Sequence, residues 1–372
     1  MIPHSRPTLD GVDAGRLRQL LDTGQVARGD VCRRLETAFG RQILGDRTHP
    51  SRYRARSVQS GTAALHLALL ALKNLRSASP REEPALEVVT TSLACPAVVQ
   101  AVRAAQARPV FVDTDPNGNL RPDAAVEKIS PRTLAFLVPH LYGRPVDLGP
   151  ILATGIPAIE DCAHALAVRG PSGTVGTAGD VMTTSLYATK LVCAGQGGIV
   201  ASRRPEIADE IDDLSRCDGR EGAKMRWNYD LSDWAAALAL PQIESFSGFL
   251  ERRRSIAERY TRAFEPYRDV LVLPEAQAGC EHAWYRYVVL VPENSDPWIA
   301  RLGELGIEAK RPVHGPLPRL FGFDGEFSSC EDHWRRSLSL PVYPSLTDDE
   351  ADRLVEAFRQ TAEALVPASS RS

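Results

Sequence analysis

The sequence predicts an α/β protein, a mostly parallel sheet covered on both faces by helices, followed by a smaller α+β domain. Three observations lead there. Short β-rich stretches alternate with helical ones through the first two thirds of the chain, the rhythm of a parallel sheet. The residues that bear chemistry fall just after those stretches, where the carboxyl ends of open α/β sheets form ligand sites. The 372 residues exceed what a single core usually serves, and the rhythm changes near residue 266, which divides the chain into residues 1–265 and 266–372.

Taken in order, helical periodicity appears first in "DAGRLRQLLDTG" and "VCRRLETAFGRQI". An extended "RARSVQ" runs into "SGTAALHLALLALKNL", a helix entered through Ser-Gly-Thr, and a polar connector, "RSASPREEP", follows. Strand and helix then alternate: "LEVVT", "CPAVVQAVRAAQA", "PVFVD", "DAAVEKI", "TLAFLVPH", "LGPILATG", "PAIED" and "VMTTSLY". The segment "WAAALALPQIESFSGFLERRRSIAERYTRAF" is a long helix that Pro241 kinks or divides. Beyond it, "AWYRYVVLVP" is a strand, "PWIARLGELG" a helix and "DDEADRLVEAFRQTAEALV" a final amphipathic helix, with "PASSRS" as a frayed tail.

Composition narrows the function classes. Apolar residues make up 43% and charged residues 24%, and 44 basic against 47 acidic residues leave a net charge of −3, so no nucleic-acid partner is expected. The N-terminal "MIPHSRPTLDGVDAGRL" lacks a cationic stretch leading into an apolar one, and no long apolar run occurs; a cytoplasmic protein without membrane association is the expectation. Cysteines 32, 95, 162, 193, 217, 280 and 330 form no CxxC pair, which suits buried, reduced thiols rather than disulfides or a metal site.

Three stretches carry chemistry. The "SGTAAL" helix entry presents backbone N–H groups and the positive end of a helix dipole, a phosphate cradle or an ordinary N-cap. In "PAIEDCAHA" an apolar strand ends in Glu160 and Asp161, with His164 following. Such carboxylates serve as metal ligands, as partners of a protonated heterocycle or as surface caps, and Asp161 with His164 alone is a poor metal signature. Lys190, just past "VMTTSLY", stands among small and apolar residues; it is a carbonyl-reactive amine or a lysine whose tip reaches solvent. Phosphate cradle, acidic partner and lone amine on one sheet edge are the three attachments that pyridoxal 5'-phosphate needs.

The ordered motifs "RPTLDG", "GDVCRRLETAF", "SGTAALHLALLAL", "RPVFVDTDP", "RTLAFLVPHLYGRPVDL", "IEDCAHA", "SLYATK", "GQGG", "RWNYDLSDWAAALALPQIE" and "LSLPVYPSLTDDE" extend over nearly the whole chain. In these the chain resembles the DegT/DnrJ/EryC1/StrS family of pyridoxal-phosphate-dependent sugar aminotransferases. The resemblance implies the aspartate-aminotransferase type of fold (fold type I) and transfer of an amino group from an amino acid, glutamate or glutamine, to a keto-sugar nucleotide. It makes Lys190 the lysine that holds the cofactor as an aldimine and shuttles the proton, and Asp161 the partner of the pyridine nitrogen. His164 falls near the ring's 3-hydroxyl; Gly61, Thr62 and Ser185 hold the phosphate; Asn228 reaches it from the neighbouring subunit of a homodimer with composite active sites.

Four positions depart from the family pattern. Where relatives stack an aromatic ring on the cofactor, this chain has Ala94 and Cys95, whose thiol lies against the ring with less contact area. The usual "GEGG" is "GQGG", with Gln196, and the usual "NYR" is "NYD", with Asp230: a compensating exchange or an altered substrate pocket. Lys310, Arg311 and His314 in "GIEAKRPVHGPL" are candidates for a diphosphate or sugar hydroxyls, or a solvated basic loop. Other readings are amination of a non-nucleotide cyclic ketone such as a cyclitol, sugar dehydration (whose branch carries histidine where Lys190 stands), and a non-catalytic regulatory homologue.

Overall fold

Residues 1–9, 14–45, 53–76, 85–219 and 221–366 are described by the computed structural model. Most of the connector "RSASPREEP", the end of "RPTLDG" and the closing "PASSRS" lie outside the described residues. Helices α1 (Ala14–Thr23) and α2 (Asp30–Gln42) precede β1 (Arg54–Val58) and α3 (Gly61–Leu75). Then come β2 (Glu87–Thr91), α4 (Ala97–Ala104), β3 (Arg108–Val112), α5 (Pro122–Val126), β4 (Thr133–Pro139), α6 (Gly149–Leu152) and β5 (Ala158–Asp161). A small hairpin of β6 (Arg169–Gly170) and β7 (Gly173–Thr174) leads to β8 (Val181–Ser185), β9 (Gly198–Ser202) and α7 (Pro205–Leu214). The long helical segment is divided into α8 (Asp233–Glu244) and α9 (Phe246–Phe264), with the break at Ser245 rather than at Pro241 itself. The remainder comprises β10 (Tyr287–Leu290), α10 (Asp296–Glu304), α11 (Leu317–Phe321), α12 (Ser328–Arg336), β11 (Ser337–Leu340) and α13 (Asp348–Leu365).

The central sheet has the order β1-β9-β8-β5-β4-β2-β3. Strands β3, β2, β4, β5 and β8 run parallel, and β9 lies antiparallel to both β8 and β1. The carboxyl ends of β1, β5 and β8 therefore share one edge, which brings together chain positions more than a hundred residues apart. Helix α3 is apolar on every side, and Ala63 to Leu72 are all buried, as expected of a helix sandwiched between layers.

A second apolar cluster joins Tyr287, Val289, Leu338 and Leu340 of β10 and β11 with Ile256, Tyr260 and Phe264 of α9, and takes in Ile2. The first residues of the chain dock there: Ile2 N–H donates to the Gly306 carbonyl at 2.8 Å and Glu308 N–H to the Ile2 carbonyl at 2.9 Å. Among the described residues no helix is long and apolar enough to cross a membrane.

Candidate active site

The N-terminus of α3 is built for close approach. Ser60, the N-cap, is extended, and its side chain accepts a hydrogen bond from Ala63 N–H at 3.1 Å. The N–H groups of Gly61 and Thr62 take no partner among the described residues, as the first donors of a helix do not. Ser185, the last residue of β8, lies directly against them: a Cβ on Gly61 would stand 2.8 Å from Ser185 Cβ and 3.2 Å from its Oγ. Gly198 closes the other side, since a Cβ there would stand 2.4 Å from the Ser60 carbonyl oxygen and 2.8 Å from Gly61 N. Two free N–H groups and a hydroxyl thus face one small space at a helix N-terminus, the arrangement that suits an anion.

Past the ends of β5 and β8 stand Asp161, His164 and Lys190. The half-buried Asp161 accepts a hydrogen bond from Ala163 N–H at 3.0 Å through one oxygen, and its other oxygen takes none from the described residues. Enclosure pushes its carboxyl above the ordinary range, against the opposing pull of the Ala163 N–H, then of Lys190 and His140. His164 is buried, and its Nδ1 accepts from Tyr142 N–H at 3.4 Å, which leaves the proton on Nε2. Burial, then Lys190 and Arg286, hold this imidazole neutral, well below the usual histidine range. Lys190 forms no ion pair with a carboxylate among the described residues; its Nζ lies 5.1 Å from the centroid of the Tyr285 ring, which itself stacks on His164 at 4.2 Å.

The neighbouring Glu160 has a different task. Its two oxygens accept from the N–H groups of Gly176 (2.8 Å), Ala178 (3.0 Å) and Gly179 (2.7 Å), and His140 Nε2 lies 3.1 Å away. Burial alone would raise this carboxyl, but His140 and the Gly179 and Gly176 donors outweigh it and hold it low. With Cys162 these groups form a cluster of possible metal donors, yet Glu160 is already saturated as a clamp on the loop at 176–179.

Cys95 is exposed on the loop after β2, with Ala94 buried beside it. Asn228 is exposed and makes no hydrogen bond among the described residues; its segment runs along the end of β1, where Gln59 N–H donates to the Tyr229 carbonyl at 2.9 Å. Asp230 anchors that segment by pairing with Arg56, and Arg28 Nε lies 3.7 Å from the same oxygen. Of the three basic-loop candidates, Lys310 pairs with Glu308 at 2.7 Å, Arg311 bonds Asn294 at 2.7 Å and covers Trp334, and His314 is exposed. Lys310 still contributes charge nearby, because it and Arg286 lower the buried His4 beyond what burial does.

Two residues of the site were not singled out from the sequence, Tyr285 and Arg286. Burial would raise the Tyr285 phenol, but Arg286, then Lys190, Thr189 and Arg253, bring it down to about 8. The signal was an arginine inside "AWYRYVVLVP", a stretch otherwise apolar or aromatic enough to pass as a plain strand.

The fold is that of a pyridoxal-phosphate-dependent aminotransferase. The DegT/DnrJ/EryC1/StrS aminotransferase family model matches residues 7–359, and the chain belongs to that family. It is 30% identical over 390 residues to the spore coat polysaccharide biosynthesis protein SpsC of Bacillus subtilis, with 96% of each chain covered. The crystal structure of the aminotransferase TlmJ from Streptoalloteichus hindustanus is similar with a TM-score of 0.88 at 29% identity, covering 99% of this chain and 100% of that one. The sugar aminotransferase CalS13 from Micromonospora echinospora is similar with a TM-score of 0.85 at 26% identity, covering 97% and 100%.

Proposed function

We propose that the protein moves an amino group from an amino acid, glutamate or glutamine, to a keto-sugar carried on a nucleotide, as a cytoplasmic homodimer. The observation that carries the reading is Lys190: an amine with no carboxylate partner among the described residues, set beside a half-buried Asp161 that has an oxygen to spare. The residues fit pyridoxal phosphate. Gly61, Thr62 and Ser185 would hold its phosphate, Asp161 would face its ring nitrogen, His164 would offer Nε2–H to its 3-oxygen, and Cys95 would lie against the ring. Asn228, exposed and unbonded, would complete the phosphate site of the neighbouring subunit.

When bound, the cofactor supplies an aldehyde that takes up the amino group and a ring that withdraws electrons from the substrate carbon. The chain's own residues do the rest. Asp161, whose carboxyl is unfavourably enclosed when alone, gains by facing a cation and so keeps a ring nitrogen protonated. Lys190 Nζ holds and moves the proton at the substrate's reacting carbon. His164, neutral and fixed as the Nε2–H tautomer by Tyr142, donates without adding charge. Residues 1–265 would carry the cofactor, and residues 266–372 would contribute Tyr285, Arg286 and Lys310. Of the seven cysteines, expected to be buried, Cys32, Cys162, Cys193 and Cys330 are, whereas Cys95 and Cys217 are exposed.

The test is direct. Borohydride reduction of the purified enzyme should fix the cofactor on Lys190, located by peptide mass spectrometry, and enzyme with glutamate and a keto-sugar nucleotide should release 2-oxoglutarate. A cofactor found on another residue, or no nitrogen transfer across a panel of keto-sugar nucleotides, would end the reading.

A further inference from the structure

The geometry points to Arg286 as an anion anchor beside Lys190 that takes a carboxylate of the amino-acid donor. The inference rests on Lys190 being the reacting amine. Arg286 is only 8% exposed, yet no carboxylate pairs with it among the described residues. Its Nη1 donates to Ser5 Oγ at 2.6 Å and its Nη2 to Tyr285 Oη at 3.1 Å, while its buried Nε–H has no partner. The guanidinium groups of buried Arg56 and Arg253 also leave Nε unpartnered, but their Nη groups are differently engaged. Arg56 has Asp212 and Asp230, and Arg253 is threaded onto the carbonyls of Val342 (2.7 Å), Trp284 (3.2 Å) and Tyr285 (3.4 Å). A buried cation with neither carboxylate nor a set of carbonyls is costly unless something outside the chain neutralises it.

Its position says what that something reacts with. The Arg286 guanidinium carbon lies 4.4 Å from the Tyr285 ring centroid and Lys190 Nζ 5.1 Å from the same centroid. The charge of Arg286 is felt by His164, Arg253, Tyr285 and His4, and none of these is a carboxylate. Glu308, which accepts from His4 N–H at 2.8 Å, is paired with Lys310. An amino acid whose amine meets the Lys190 site carries its α-carboxylate one carbon away, and the Tyr285 ring is the surface that the two cations have in common. A carboxylate presents two oxygens in one plane, which matches the Arg donors left free. The phosphate of a nucleotide acceptor shares this chemistry, so the experiment separates the two sources.

Holoenzyme, checked first for borohydride-fixable cofactor on Lys190, is titrated with maleate, a dicarboxylate without an amine, with its neutral diamide, and with UDP, following the cofactor absorbance. The expected result is tighter binding of maleate than of the diamide, weakened at least about tenfold by Arg286→Gln and partly recovered by Arg286→Lys, with UDP affinity unchanged. Equal maleate affinity in wild type and Arg286→Gln overturns the anchor. So does loss of UDP affinity alone, which assigns the arginine to the acceptor's phosphate. If Arg286→Gln does not fold, equal affinity of wild-type enzyme for maleate and the diamide overturns it as well. Failure to find the cofactor on Lys190 is a separate outcome that removes the premise together with the inference.

Discussion

Replacing Gly198 by alanine tests the anion cradle at its tightest point. The added Cβ would meet the Ser60 carbonyl oxygen at 2.4 Å and Gly61 N at 2.8 Å, both main-chain atoms that no side-chain rotation can move aside. An ordinary contact needs about 3.4 Å or more. Either β9 or the entry of α3 must therefore retreat by roughly 1 Å. Overpacking of this kind costs about 1–3 kcal/mol of stability. A displacement of that size at a positioned group costs roughly a hundredfold in turnover. Gly248 in α9 is the control, because a Cβ there meets nothing within 4 Å and relief of glycine's entropy should stabilise the helix by roughly 0.5–1 kcal/mol. Denaturant unfolding gives the first quantity, and titration of the apoenzyme with pyridoxal phosphate reports the cradle. Gly198→Ala with wild-type stability and wild-type cofactor affinity would refute the assignment of this space to the phosphate.

Asp161→Asn should act with opposite signs on the two forms of the enzyme. Because the folded carboxyl is raised above its unfolded value, ionising it works against the fold once pH exceeds the ordinary carboxylate range, so the apoenzyme should be no less stable as Asn at neutral pH. Cofactor affinity should nevertheless fall by about ten- to a hundredfold with loss of a charge-assisted bond, read by equilibrium titration. Tyr285→Phe should cost stability selectively above pH 8. The phenol is lowered from the ordinary tyrosine range to about 8, so its contribution is present at high pH and fades as pH falls through 8; unfolding across pH 7 to 10 checks the window. Asp230→Arg, the residue usual in relatives, should destabilise this chain by about 2 kcal/mol or more in chemical denaturation, since it turns the partner of buried Arg56 into a like charge beside Arg28.

Strand and helix rhythm made the parallel part of the sheet legible in the chain, because buried parallel strands are continuous apolar runs bounded by turns. The reversed strand β9 was not legible: "GGIVAS" follows the Lys190 turn so closely that nothing local distinguishes it from a loop. The candidates Asp161, His164, Ser185 and Gly61 drew attention because each sits at or just past a strand end or at a helix entry, and the family resemblance gave them their proposed roles. Tyr285 and Arg286 drew none, since their place in the site depends on a fold-back of residues 283–286 against Tyr142 and Gly143, visible in the bonds Ala283 N–H to Gly143 O (2.8 Å) and Arg286 N–H to Tyr142 O (3.1 Å). Arg311 shows the converse. A cation in a plausible loop is consumed by Asp296, Asn294 and the face of Trp334, an arrangement that spacing in "EAKRPV" does not reveal.

The two charge departures, Gln196 and Asp230, belong to one neighbourhood. Gly197 and Leu231 abut, since a Cβ on Gly197 would stand 3.1 Å from Leu231 Cδ1, so the residues preceding them lie on adjoining segments. This chain lacks both the acid usual at 196 and the base usual at 230. Gln196 is exposed and makes no hydrogen bond among the described residues, while Asp230 draws its counter-charge from Arg56 in the next strand and from Arg28. Arg56 is 5% exposed and would be left with Asp212 alone if residue 230 carried no acid. The exchange is thus accounted for by the packing of β1 against the Asn228 segment, without calling on the substrate. Arg286, without a carboxylate partner among the described residues, is the charged group of the pocket left to act on a ligand, and the choice of amino donor is where its effect should appear.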